Sequence, residues 1–512
     1  MKKSVLVNQT SLSCVDSLNA AGNYHHVLLI CTPFNLQKMN KLILYALLLL
    51  FGETMAAHPW KPAHYIIIDT DAGIDDMRAL SLLLASPDVR VMGIITSGGA
   101  LGANQAYVKV RSMLNAFHHE GIPVAINRGS GPAGRDLPVP AAMVYGDEKG
   151  IDPASAEGHI ELIERLIKHE PTKFSFLALG SLNTAYSAFV SIPSFTKQLK
   201  EIVWSSNDAA ALSGFNYEID KGAADQLMLT DTPVRIIGAA DGRFYDSYLM
   251  EELTKCTTRY GRMISSLFSS PGASQHDFIL RATDEMAALW LQFPTLFSAT
   301  GSGNKTTHRL LPDAGAAEHF MRMINGETVE RNQVVRVIPT DPSFYFEDVQ
   351  PFVTDIIERH GIDEWTSGVL ANELHRHLGV YAIIGVKMGI RAREYFNTGV
   401  DEFFLTSYAG TRQPLSCMID GLLTSTGSTP GHALLEVVAS DNPTPSATFR
   451  YKDTTIKLTL RPEVAEKIAS ELKEYNFVYG IDSNIYWELV RKSAVKYWRD
   501  FSRHDIFIIE CI

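Results

Sequence analysis

From Tyr65 onward the chain alternates short apolar runs rich in β-branched residues with longer amphipathic stretches, and this order constrains the fold more than any single residue does. The runs are Tyr65–Asp69, Val89–Thr96, Ile122–Ile126, Phe174–Gly180, Ile202–Ser206 and Val234–Ala239. The helical stretches between them include Met77–Ser86, Ala106–Phe117 and Ile160–His169. Runs apolar on both faces need cover on both faces, which predicts an open, mostly parallel, Rossmann-like α/β sheet with crossover helices. Ligand sites in such sheets lie beyond the carboxyl ends of the strands. At 512 residues the chain exceeds one ordinary core, so a second, smaller α+β domain is expected. A hydrophobic fraction of 46% excludes a disordered chain. The net charge of -11 argues against a nucleic-acid partner and for a small ligand.

Directly after the first run come Asp69, Asp71, Asp75 and Asp76, four carboxylates within eight residues. Helix capping accounts for one or two aspartates at such a place, and the rest need a cation. Hard oxygen donors in this number suit Ca²⁺ better than zinc.

The segment Asp69-Thr70-Asp71-Ala72-Gly73-Ile74-Asp75-Asp76 resembles the signature of the inosine-uridine-preferring nucleoside hydrolases. Further landmarks follow as far as Asn325: Gly180–Ala185 is similar to GPLTNIA, Gly214–Asp220 with Ala223-Ala224 to EFNxxxDPEAA, and Leu311-Pro312-Asp313 to Leu-His-Asp. The resemblance implies a nucleoside hydrolase fold and a Ca²⁺ held by Asp71, Asp75, Asp76, the backbone carbonyl of Asn183 and Asp313. It gives Asp71 the further role of catalytic base in N-glycosidic hydrolysis of a ribonucleoside. Among the substrate contacts, Asn216 matches a ribose-binding asparagine. Asp208 stands for another, and Ala100 for a third whose part Asn104 would take from a rearranged loop. Gly214 and Pro312 replace a glutamate and a histidine, with His308 a substitute acid. These departures define the rival function, a noncatalytic protein that holds a ribose-like diol through calcium. The resembled hydrolases commonly assemble, so the resemblance admits a homo-oligomer.

Pro339, Asp341-Pro342 and Pro351 read as a connection, giving a first domain over 58–330, a linker over 331–366 and a second domain over 367–512. In the latter, His375-Arg376-His377 would set two imidazoles on one face if extended, and Cys417 would complete a soft set for Zn²⁺ or another transition metal. His-x-His-Leu-Gly followed by Cys417–His432 is similar to the E component of formylmethanofuran dehydrogenase, without that family's CxxC ribbon. The resemblance implies metal or small-ligand binding. A hairpin over 447–460 and a helix opening at Pro462 are expected to complete it.

Between Met39 and Ala57, Lys41 precedes the apolar run Leu42–Phe51, with small residues at Ala56 and Ala57. That is the layout of a signal peptide, too short for a membrane span. Residues 1–38 then read as a mispredicted upstream extension. The mature protein is expected to be exported without a membrane span, to the periplasm if the source is a Gram-negative bacterium.

Overall fold

The computed structural model describes residues 62–129, 133–206, 212–269, 277–312, 314–327, 334–335 and 337–512. The stretches read as extension and signal peptide lie outside the described residues, as do Asp208 and Asp313. The α/β expectation holds. An eight-stranded sheet has the order β3-β2-β1-β4-β5-β6-β8-β7, built from β1 (His64–Thr70), β2 (Val89–Thr96), β3 (Val124–Ile126), β4 (Phe174–Ala178), β5 (Leu199–Ser206), β6 (Val234–Gly238), β7 (Phe297–Ser302) and β8 (Lys305–Leu310). All neighbours pair in parallel except β7 with β8.

The alternation of side chains along β1 sorts its isoleucines into two layers. Ile66 and Ile68 enter the core under helices Ile74–Ala85 and Asp284–Gln292, and Ile67 enters the core under helices His159–His169 and Asn183–Ser191. Strand order reverses between β1 and β4, so the aspartates that follow β1 stand at the topological switch point.

The second sheet has the order β10-β9-β11-β12-β13: β9 (Phe404–Ser407), β10 (Leu435–Val437), β11 (Ser446–Tyr451), β12 (Thr454–Leu460) and β13 (Phe507–Cys511). The expected hairpin is β11–β12, and the proline-initiated helix is Pro462–Tyr479. The linker expectation needs revision. Val349, Val353, Ile356 and Trp365 sit in the same core as Ile383, Phe403 and Trp498, so residues from about 349 onward belong to the second core. Trp365 stacks on Trp498 with centroids 4.9 Å apart, a contact that two isolated prolines upstream do not announce.

The two sheets share one compact unit, residues 59–512, joined by a polar seam. Arg90 donates to Glu402 (3.1 Å), Arg391 to Glu120 (2.7 Å) and Arg165 to Asp453 (2.9 Å), while Lys452 pairs with Glu170 (3.0 Å). The Gly121 amide donates to the Tyr395 carbonyl at 2.8 Å. Glu394 gathers Arg259, Arg503 and His504, which hold its carboxyl well below the ordinary range against the opposing effect of burial.

His118 lies flat on His504, centroids 3.5 Å apart. Burial, then the neighbouring His504, pushes His118 down to about 4, with Arg259 and Arg391 acting in the same sense and Glu394 against them. A histidine depressed on folding contributes stability that is complete above its unfolded value near 6.5 and is lost as pH falls toward 4. His118→Gln lacks this penalty. The stability deficit of that variant relative to wild type is therefore expected to shrink by roughly 2 °C or more in melting temperature between pH 7.5 and pH 5. A constant gap across that range would show that His118 does not titrate there.

Candidate active site

The loop after β1 folds back on itself through side-chain bonds that its own sequence supplies. Thr70 Oγ1 donates to Asp76 Oδ1 at 2.6 Å and accepts from the Ala72 amide at 3.0 Å. The Asp71 amide donates to Asp76 Oδ1 at 3.2 Å, and the Gly73 amide to Asp71 Oδ1 at 3.2 Å. Ala72 takes a left-handed φ of 58° to make this turn. A Cβ at Gly73 would sit 2.8 Å from Asp76 Oδ2 and one at Gly99 only 1.9 Å from Asp71 Oδ2, so both glycines let backbone approach the carboxylates. Asp69 lies beneath, accepting from Thr184 Oγ1 (2.6 Å) and Ser97 Oγ (3.0 Å). It serves as a brace between strand ends.

Asp75 and Asp76 meet a third carboxylate that the sequence does not announce. Asp284, the first residue of helix Asp284–Gln292, brings an oxygen to within 4.8 Å of one on each of them. This is the only such set of three metal-ligating side chains among the described residues. Its Oδ1 is buried without a partner. Burial is the largest cause raising Asp71 to about 6, and it also raises Asp76 and Asp284, each further lifted by neighbouring aspartates. Several desolvated acids that repel one another, with an unsatisfied oxygen facing the group, form a donor set that fits a hard divalent cation. Asp284 thus brings to this cluster a carboxylate that the sequence reading did not include, whereas Asp313, the ligand expected there, lies outside the described residues. The two adjacent acids Asp284-Glu285 opening the apolar run Met286–Leu291 are the available signal, easily taken for a helix start.

The remaining expectations divide. Asn183 opens helix Asn183–Ser191, with its side chain engaged by Asn127 (2.9 Å) and Asp220 (2.7 Å), so only its backbone carbonyl is left as the implied ligand. Asn216 donates to the carbonyls of Leu179 (2.6 Å) and Ser205 (3.2 Å), spending both amide hydrogens on strand ends and leaving Oδ1 for a ligand. It lines a cavity of about 400 Å³ together with Asp71, Asp75, Asp76, Asp284 and Ala100. Asn104 does not line it. It is exposed in the first turn of helix Ala103–Ala116, because the preceding loop is tied by the amides of Leu101 and Gly102 to Asp71 and Asp136 rather than rearranged. His308 is also elsewhere, inside β8 against Thr306 and the Trp290 ring.

The far wall of the cavity is apolar: Leu137, Pro138, Val139, Pro140, Phe215 and Ile279. Arg135 lies over Phe215 at 4.8 Å. Beneath the acids, Arg78 donates to the carbonyls of Ile279 (2.6 Å) and Arg281 (3.0 Å), and its Nε pairs with Glu285 at 2.5 Å. That ion pair lacks hydrogen-bond geometry. The guanidinium stacks over Tyr245 at 4.6 Å, whose hydroxyl donates to Glu285 at 2.7 Å. Nothing in the spacing of the sequence joins Arg78 to Glu285.

In the second sheet's domain, His375 and His377 do come together, with ring centroids 4.1 Å apart, but not as an extended His-x-His. His375 ends helix Ile362–His375, and Arg376 turns the chain at a left-handed φ of 67°. His375 Nδ1 is held by Asp420 at 2.7 Å while Nε2 is buried without a partner, the arrangement in which a carboxylate aims an imidazole at a metal. Cys417 does not join His375 and His377 as a three-atom set within 4.8 Å. It sits one helical turn before Asp420, and burial followed by that carboxylate pushes its thiol up to about 11.

Comparison with known proteins follows this division. The chain matches the family model for inosine-uridine preferring nucleoside hydrolases over residues 66–341, and that for FmdE, molybdenum formylmethanofuran dehydrogenase operon, over 374–484. Uridine nucleosidase 1 of Arabidopsis thaliana is 24% identical over 42% of this chain and 67% of its own length. Non-specific ribonucleoside hydrolase RihC of Klebsiella pneumoniae is 26% identical over 46% of this chain and 80% of its own. The match spans 56% to 59% of the length of several other curated relatives. The purine-preferring ribonucleoside hydrolase from Gardnerella vaginalis, a solved structure, superposes at a TM-score of 0.41 with 18% identity, covering 51% of this chain and 98% of that one. With more than half its residues within the first family model, the chain belongs to the inosine-uridine preferring nucleoside hydrolase family.

Proposed function

We propose that this protein hydrolyses the N-glycosidic bond of a ribonucleoside or related ribosyl compound, releasing base and ribose, with Ca²⁺ held by Asp71, Asp75, Asp76, Asp284 and the carbonyl of Asn183. The observation that carries this reading is the convergence of Asp75, Asp76 and Asp284, whose Oδ1 is buried without a partner, in a cavity that Asp71 also lines. A cation there supplies a lowered pKa for water and an anchor for a sugar diol. Asp71 is the proton acceptor: it lines the cavity beside Asp75, Asp76 and Asp284, within reach of a water that a cation there would hold. Asn216 Oδ1 is positioned to accept from a sugar hydroxyl, and the wall of Leu137–Pro140 and Phe215 excludes water from the departing group.

Ribose release from a panel of purine, pyrimidine and modified nucleosides, with and without Ca²⁺, tests the proposal. Asp71→Asn is expected to lower kcat/KM by ~10³-fold. Ala100 in the cavity wall, where the resembled family places an asparagine, favours one second reading, a noncatalytic ribose-binding protein. Calcium-dependent nucleoside binding without ribose release would establish that reading instead.

For the other half we propose a transition-metal site on His375 Nε2, oriented by Asp420, with His377 beside it. Zn²⁺ titration of the full chain is expected to show a site lost in His375→Ala and weakened ~10- to 100-fold in Asp420→Asn. Equal affinity in all three proteins would remove it.

A further inference from the structure

The helical hairpin that closes the second domain leaves its apolar residues in water. Helix Pro462–Tyr479 buries only Ile468 and Leu472, and its last turn ends in Phe477, Val478 and Tyr479, with Phe477 at 90% exposure. Across the turn, Ile481, Ile485 and Trp487 are each between 42% and 52% exposed at the start of helix Asn484–Asp500. Trp487 touches the His377 ring at 5.2 Å, and Arg491, one turn further on, lies over the exposed Phe346 at 5.6 Å. The patch is therefore continuous from the hairpin tip to the edge of the histidine pair.

With aromatic side chains offering 150–250 Å² each, these exposures leave roughly 800 Å² of mostly apolar surface, above the largest patch of an ordinary monomer and equal to one side of a standard interface. From Tyr475 to Trp487 the single formal charge is Asp482, in a chain of net charge -11. Two copies of so acidic a chain repel one another on average, whereas here a second copy meets a nearly uncharged surface identical to its own. Lys and Arg are absent from that stretch, and of the cations that follow it Arg491 pairs with Asp348 and Lys492 with Glu488, which leaves little free positive charge there to hold anionic lipid.

We infer that the hairpin tip around Phe477 and Trp487 is a self-association surface, through which two copies of this chain pair about a twofold axis and bring their histidine pairs beside the interface. The full chain, followed by sedimentation velocity from nanomolar to tens of micromolar, is expected to show a dimer. Phe477→Lys is expected to raise the dissociation constant at least ~30-fold, as loss of a buried aromatic anchor does. Leu229→Lys, at a leucine 81% exposed on the hydrolase half, should leave it unchanged. Because Phe477 supports no core, an unchanged melting profile separates loss of pairing from loss of fold. A monomer at every concentration, a dimer indifferent to Phe477→Lys, or flotation of the monomer with phosphatidylcholine–phosphatidylglycerol vesicles would each overturn the inference.

Discussion

Asp284→Asn is expected to weaken calcium binding at least ~100-fold while making the metal-free protein more stable. The two effects share one cause. Asp284 is buried against Asp75 and Asp76 with an unpartnered oxygen, so in the absence of a cation it contributes repulsion and a desolvated charge. The amide keeps the shape and removes the charge, relieving the empty cluster and depriving the ion of a ligand. Wild type is expected to gain ~2.7 kcal/mol of stability when calcium is raised to a hundred times its dissociation constant, and the variant to gain no more than ~0.4 kcal/mol at the same concentration. Calorimetric titration and thermal melts with and without calcium measure both. Asp313→Asn is the companion variant. If Asp313→Asn lost calcium binding while Asp284→Asn kept it, the ligand would return to the position read from the sequence.

The second large effect lies behind the cluster. Arg78→Met is expected to destabilise the fold by ~3–5 kcal/mol, because it strands Glu285 in a fully buried site with only Tyr245 and the Thr283 amide as partners. It also frees the carbonyls of Ile279 and Arg281, which bracket the approach to Asp284. The double variant Arg78→Met/Glu285→Leu should recover much of the loss, since replacing both members of a buried pair avoids the stranded charge. Urea unfolding of Arg78→Met, Glu285→Leu and the double variant decides it. Additive losses would mean that the ion pair is not the source of the cost.

What is legible in the sequence follows from how far each signal reaches. Strands β1 to β6 are readable because burial on both faces writes an unbroken apolar run, and the Asp69–Asp76 loop because its ligands and their braces are neighbours in sequence. Asp284 is not, since two hundred residues separate it from the loop it completes and its acidity fits a helix start equally well. Arg78 with Glu285 is hidden for the same reason, as only the packing of two helices brings them together. The histidines of the second domain are legible as a pair but not in their backbone: a left-handed residue at the end of a helix, not a strand, presents both rings. Asp420, which aims one of them, stands in the resembled segment without a role that spacing could assign.

The seam between the two sheets bears on how such a chain came to be, and on whether it can be undone. Arg90, Arg391 and Lys452 each answer an acid on the other side, and Glu394 stands among cations from both. Once these pairs had formed, a gene split between the halves would release two proteins, each carrying solitary charges and uncovered backbone on the broken face. The fusion therefore works as a ratchet: either half could return to independent life only after several compensating changes at once, so descendants are expected to lose activity in one half far more readily than they lose the half itself.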